Sequence, residues 1–133
     1  MNIEIIARGL LIQDGHILLC NGNSGTYTYL PGGHVELGET LTTALKREWQ
    51  EELGCDCTIG DFLEFHEDFF TDANGEKHHE ISFVFAVKCD ALSPHKAIPQ
   101  CESYTTFQWA SKQQLVTKNV LPLSVLPLIH SNF

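Results

Sequence analysis

Two spacings of hydrophobic residues alternate along this chain. Residues 3–12 (IEIIARGLLI) and 16–20 (HILLC) are apolar and β-branched, with Gln13, Asp14 and Gly15 between them. That pattern predicts a strand, a tight turn and a strand. A third short strand, TYTYL, runs up to Pro31 and the pair Gly32 and Gly33. Over residues 39–53 the period lengthens to that of a helix. Thr40 is placed to cap its start, and Gly54 to close it in the left-handed conformation. FLEFHEDFF and HHEISFVFAVK then read as two strands around TDANGEK, where Asn74-Gly75 is a strong hairpin signal. Residues 81–87 are apolar on both faces apart from Ser82, which places them mid-sheet. DALSPHKAIPQCES, with Pro94 and Pro99, reads as a loop. YTTFQWA predicts another strand, SKQQLVTK a short helix capped by Ser111, and VLPLSVLPLIHSNF a proline-interrupted helix packed on the body.

Strands, a helix, more strands and a terminal helix predict an α/β protein: an α/β/α sandwich built on a mixed β-sheet. With no repeat and no linker, residues 1–133 are expected to form a single domain, long enough to bury a core without staples.

Composition narrows the partners. No run of eighteen apolar residues is present, so no membrane span is expected. The N-terminal stretch lacks a basic segment and turns polar early, unlike a signal peptide, so a cytoplasmic location is expected. Five cysteines (20, 55, 57, 89 and 101) without a CxxC pair predict reduced, buried thiols rather than disulfides or zinc. The formal charge of −9, with Arg8 and Arg47 the only arginines, argues against a nucleic-acid polymer as partner. A small phosphorylated ligand remains compatible, provided that a divalent cation supplies positive charge.

The helix carries the chemistry. With about 100° per residue and Glu48 set at zero, Leu41, Leu45, Trp49 and Leu53 fall between about 20° and 140° as a buried stripe. Glu52 projects between Leu41 and Leu45, on the core side, and Glu48 lies beside it at i, i+4. Glu51 is offset to one side and can pair with Arg47. A buried unpaired carboxylate is costly, and two glutamates at i, i+4 disfavour a helix by roughly 0.2–0.5 kcal/mol. A hard cation removes both penalties, since Mg²⁺ takes carboxylate oxygens and bridges to phosphates. The preceding Leu30-Pro31-Gly32-Gly33 lets backbone approach such an ion closely.

Residues 33–55 resemble the Nudix box: Gly33, five residues, Glu39, seven residues, Arg47-Glu48, Trp49, Gln50, Glu51-Glu52, Leu53, Gly54. All seven fixed positions of the pattern, spread over 22 residues, are present. YTYLPGG resembles the family's usual lead-in, and the Trp-Ala-Ser segment at 109–111 its late portion. Trp49 and Cys55 depart from the aliphatic residues normal at their positions, which bears on packing more than on chemistry.

The resemblance implies a Nudix fold and an enzyme that cleaves a nucleoside diphosphate linked to another moiety, with Mg²⁺ or Mn²⁺. It implies Glu48 and Glu52 as metal ligands and Glu51 as a further ligand, or as the group that activates the nucleophile. It implies Arg47 as the residue that holds the carboxylates, Glu39 and Gly54 as structural, and the carbonyl of Gly33 or Gly32 as a backbone ligand. Members differ in their general base, and Glu102, in the loop before the late strand, is a candidate alongside the box glutamates. Arg8 is a candidate phosphate contact. His78, His79 and Glu80 read as ordinary strand-end polar residues. The loop from Asp72 resembles a calcium loop only superficially, with Lys77 where the turn glycine is needed and Phe83 where a bidentate glutamate is needed. Tyr27, Tyr29, Phe69 and Phe83 would serve equally as base-stacking or as core residues.

By elimination a nucleoside triphosphate, normal or oxidised, is the expected substrate. ADP-ribose, nucleotide sugars and dinucleoside polyphosphates stay open, as does a homodimer. A non-catalytic nucleotide-binding module would be expected to lose box carboxylates, and none is lost.

Overall fold

Strand β1 (Ile3–Leu10) is the seam of the fold, flanked on both edges and buried on both faces along its second half. The computed structural model describes residues 2–102 and 104–133. After β1 come β2 (Ile12–Gln13), β3 (His16–Asn21), β4 (Thr28–Tyr29), β5 (Gly32–His34) and helix α1 (Leu41–Leu53). The long hairpin β6 (Thr58–Thr71) and β7 (Lys77–Lys88) follows, then β8 (Phe107–Ser111) and α2 (Lys112–Leu115). A 3-10 turn (Leu123–Val125) leads into α3 (Leu126–Asn132).

The strands form two sheets, and the first is the mixed sheet that the pattern predicts. In the first, of order β5-β1-β7-β6, β1 and β7 run parallel and the other pairs antiparallel. In the second, β3 pairs with β8 on one side and with the short β2 and β4 on the other. The division has a simple cause. Both edges of β1 are taken by β5 and β7, so the chain crosses over at Leu11 and β3 finds its partner in β8. β7 lies inside the first sheet, as its double-sided apolar pattern predicts, and its turn carries Gly75 at φ +81°. β6 begins well before the predicted FLEFHEDFF and has irregular register around Phe62.

Hydrophobic side chains fill both sides of the layered strands. On one side α1 contributes Leu45, Trp49 and Leu53, packed with Ala7, Leu18, Phe85 and Val87. On the other, Leu115, Val125 and Ile129 meet Leu10, Ile17, Leu19 and Val84. This is the α/β/α arrangement. No helix is long and apolar enough to cross a membrane.

The unusual Trp49 is accommodated by Gly9 on β1. A Cβ at Gly9 would lie 3.0 Å from Trp49 Cζ3 and 2.8 Å from Val87 Cγ2. All five thiols are unpaired. Cys55 and Cys89 face each other at 3.6 Å, and the Cys89 thiol also donates to the Asp56 carbonyl at 3.3 Å. Burial pushes Cys57 up to about 11 and Cys55 up to about 12. Cys101 is exposed, beside Gly54 at the end of α1.

Candidate active site

Local signals set α1 in place. The Thr40 side chain accepts from the Thr43 amide at 3.1 Å, and Gly54, at φ 68°, donates to the Gln50 carbonyl at 2.9 Å. The helix therefore starts at Leu41, and Glu39 stands just before it. Its buried stripe carries Glu52 inward, leaving that residue 9% exposed, while the Glu51 side chain is 50% exposed.

Opposite the helix, Gly32 and Gly33 make the edge strand β5 bare. Gly32 adopts φ +138°, and a Cβ there would overlap the Ala7 carbonyl. A Cβ on Gly33 would lie 2.6–2.8 Å from the Glu48 carboxylate atoms. The missing side chain is the space that Glu48 occupies.

Arg47 ties the acidic residues together. Its Nε donates to Glu39 Oε2 at 2.7 Å and its Nη2 to Glu39 Oε1 at 2.9 Å. Nη1 reaches Glu48 Oε1 at 3.0 Å and Glu51 Oε2 at 3.3 Å, and Nη2 also donates to the His34 carbonyl at 3.0 Å. The fork on Glu39, helped by the Glu36 amide, holds that carboxyl down to about 2. A planar guanidinium suits this multi-point role better than an ammonium would.

Electrostatics single out Glu52. Burial, and then the charge of Glu48, push its carboxyl up to about 8, with Arg8 opposing. Burial also raises Glu48, against its hydrogen bond to Arg47. Glu52 makes no side-chain hydrogen bond among the described residues, so its charge has no local answer. Two carboxylates strained in this way, beside a glycine cradle and a polar cleft, fit a hard divalent cation. Their oxygens do not already form a three-ligand cage with Glu51, which Arg47 draws toward solvent.

The described residues hold two tighter acid–histidine groups, Glu4/His78/Glu80 and Asp72/Glu76/His78. In both, His78 is already engaged: Nδ1 donates to Glu4 at 2.8 Å and Nε2 to Asp72 at 2.9 Å. Asp72, then Glu4, raise its pKa to about 9, so it is an imidazolium between carboxylates. Asp72 Oδ1 is spent on the amides of Asn74 and Glu76 at 2.9 Å each, in keeping with the rejected calcium loop.

A cleft of about 1010 Å³ opens beside these groups, and Arg8, Gly32, Gly33, Glu48 and Glu52 line it together. Arg8 stands over the Tyr29 ring at 5.0 Å and donates to the Leu30 carbonyl at 3.1 Å. Glu39, Arg47, Glu51 and Glu102 do not line the cleft. Glu102 accepts from the Tyr104 hydroxyl at 2.6 Å, and its charge is felt by both Glu48 and Glu52. His66, Asp68, Glu80 and Ser124 also line the cleft, although the sequence did not single them out as site residues. The available signal was the two-residue alternation of β6 and β7, which brings 66, 68, 80 and 82 to one face.

Residues 4–126 match the family model described as the NUDIX domain. Nucleoside triphosphatase NudI of Salmonella agona (strain SL483) is 28% identical over 122 residues, covering 86% of each chain. NudI of Escherichia coli O17:K52:H18 is 28% identical over 123 residues, covering 87% of each. Among solved structures, the E. coli ORF135 protein superposes with a TM-score of 0.71 at 22% identity, covering 99% of this chain and 89% of that one. A NUDIX hydrolase from Nitrosomonas europaea gives 0.69 at 22% identity, covering 98% and 88%. These structures share the fold.

Proposed function

Because the chain belongs to the Nudix hydrolase family, we propose that it cleaves a nucleoside triphosphate, normal or oxidised, to a monophosphate and pyrophosphate with Mg²⁺ or Mn²⁺. The observation that carries this reading is Glu52, a buried carboxylate without a hydrogen bond among the described residues, set beside Glu48 on a cleft of nucleotide size. The triphosphatase relatives favour a triphosphate over a nucleotide sugar, ADP-ribose or a dinucleoside polyphosphate.

In this reading Glu48, Glu52 and the carbonyl of Gly33 or Gly32 hold the cation, with Glu51 reaching it through water. A divalent cation bound there neutralises charge on phosphate oxygens and acidifies a water molecule. Arg47 fixes Glu48 and Glu51 by its hydrogen bonds and stays off the substrate. Arg8 keeps donors free beyond its bond to Leu30, and these face the cleft where the phosphates would lie. A carboxylate must take the proton of the attacking water. Glu51, held by Arg47, and Glu102, held by the Tyr104 hydroxyl, are the two candidates. The five unpaired thiols suit a reducing compartment such as the cytoplasm, with the chain working as one domain on free nucleotides.

The test is product analysis by mass spectrometry. The purified chain is incubated with Mg²⁺ and a panel of nucleoside triphosphates, oxidised triphosphates, ADP-ribose, nucleotide sugars and dinucleoside polyphosphates. Monophosphate and pyrophosphate released from triphosphates, lost with a chelator and in Glu52→Gln, is the expected result. A panel left intact with both Mg²⁺ and Mn²⁺ would overturn the proposal and point to a binding module.

A further inference from the structure

The register of the first sheet places three carboxylates side by side across its strands. Glu4 on β1 pairs with Glu80 on β7, and Glu80 pairs with Asp68 on β6. Like charges directly opposite one another destabilise a sheet, so each needs an answer. Glu4 has two, accepting from His34 Nε2 and His78 Nδ1 at 2.8 Å each. Asp68 accepts from the Ser124 hydroxyl at 3.0 Å. Glu80, in the middle, has no hydrogen-bond donor among the described residues. It lines the cleft, as Asp68 does.

A second open group stands one row closer to the phosphate end. His66 pairs in register with Ser82, and its side chain is only 9% exposed, yet it too lines the cleft. Its Nε2 comes within 3.2 Å of Glu64 without hydrogen-bond geometry, and so has no partner. The wall of the cleft thus leaves an acceptor and an imidazole nitrogen unfilled. From the Arg8 row to the Glu4–Glu80 row is four residues along β1, about 13 Å at ~3.3 Å per residue. That is the reach of a nucleoside extended from its phosphates. Tyr29 and Phe70 line the same cleft.

We infer that Glu80, assisted by Asp68, selects nucleotides whose base carries an exocyclic amino group. A carboxylate only accepts, so an amino group completes it. A keto oxygen at the same position would face it with two acceptors and no proton between them. The inference rests on the nucleotide-hydrolase reading above and names a specificity residue within it.

Two matched substrate pairs test the effect, CTP with UTP and ATP with ITP: each exchanges an exocyclic amino group for an oxo oxygen, and with it a bare ring nitrogen for an N–H. The wild-type kcat/KM is expected to favour the amino member of each pair by about tenfold or more, as a well-formed base contact does. In Glu80→Gln and Asp68→Asn, whose amides can donate to an oxo group, both ratios should fall toward one. A ratio is independent of how much protein is folded, so partial misfolding of a variant does not obscure it. Equal turnover within each pair in the wild type, or ratios unmoved in both variants, would overturn the inference and leave the hydrolase reading standing. No turnover of any of the four with Mg²⁺ or Mn²⁺ would overturn the inference, and only a wider panel that was also left intact would overturn the hydrolase reading with it.

Discussion

Gly33 and Glu48 occupy one space: a Cβ on the glycine would fall 2.6 Å from the carboxyl carbon of the glutamate. Gly33→Ala should therefore displace Glu48 while leaving the sheet register intact. A misplacement of about 1 Å at a catalytic centre can cost on the order of 10²-fold in rate. The expected outcome is a loss of that size in kcat, with a melting temperature close to wild type. A variant of normal activity would show that Glu48 need not sit where it does.

Glu52 makes the metal-free protein sensitive to pH. Its folded pKa of about 8 lies above the ordinary carboxylate value, so the folded state holds a proton that the unfolded state has released. Stability from this group is complete below about pH 4.5 and is lost as pH rises through about 8. Chelator-treated protein should lose stability across that window, by a few kcal/mol at most. Added Mg²⁺ should restore it, and Glu52→Gln should remove the slope. Urea titrations at pH 5 and pH 8.5 measure all three.

Arg47→Ala leaves Glu39, Glu48 and Glu51 without their shared partner. Hydrogen bonds to charged groups contribute about 1.5–3 kcal/mol each when their partner is lost, and solvent at this half-buried site reduces the total. A destabilisation of about 2 kcal/mol is expected by denaturant titration, together with a fall in kcat. Arg47→Lys should recover part of the stability and little of the activity, because an ammonium cannot reproduce the fork on Glu39.

The His78 bridge carries the opposite kind of pH signature from an acid pair. Its pKa is raised to about 9 by Asp72 and Glu4, so its contribution is complete below about pH 6.5 and disappears as pH rises through about 9. Melting temperatures of wild type and His78→Gln should differ at pH 6.5 and converge by pH 10. A constant difference would assign the role of His78 to packing alone, as its stacking on Phe70 would allow.

Gly9→Ala places a methyl against Trp49 and Val87, and overpacking of this kind costs typically 1–3 kcal/mol. Trp49→Leu alone should open a void. The double variant is expected to be more stable than the sum of the two single losses, which a double-mutant cycle by chemical denaturation would reveal.

How much of this was legible in the sequence divides by the range of the interactions. Helix α1 was legible because its stripe, its Thr40 cap and its Gly54 stop all act within a few residues. The placement of Glu52 on the buried side followed from the same arithmetic. The splitting into two sheets was not legible, since β3 is completed by β8 from the far end of the chain. Nor was β5, three residues whose pairing depends on the free edge of β1. The turn of Glu51 toward Arg47 and solvent is a choice among several partners that spacing leaves open. Glu80 is the sharpest case. Its neighbours in sequence are histidines at a strand end, and only the register of three strands puts it between Glu4 and Asp68.

The cysteines have a practical consequence. Thiol reactivity follows thiolate fraction and access; burial holds the Cys57 and Cys55 thiols well above neutral pH, and it also denies access to Cys57. Cys101 alone of the five is exposed, and it lies against the last turn of the helix that carries Glu48 and Glu52. A maleimide dye would therefore mark one known place on the wild-type chain without any engineered handle. Its fluorescence would follow that helix end as ions and nucleotides come and go.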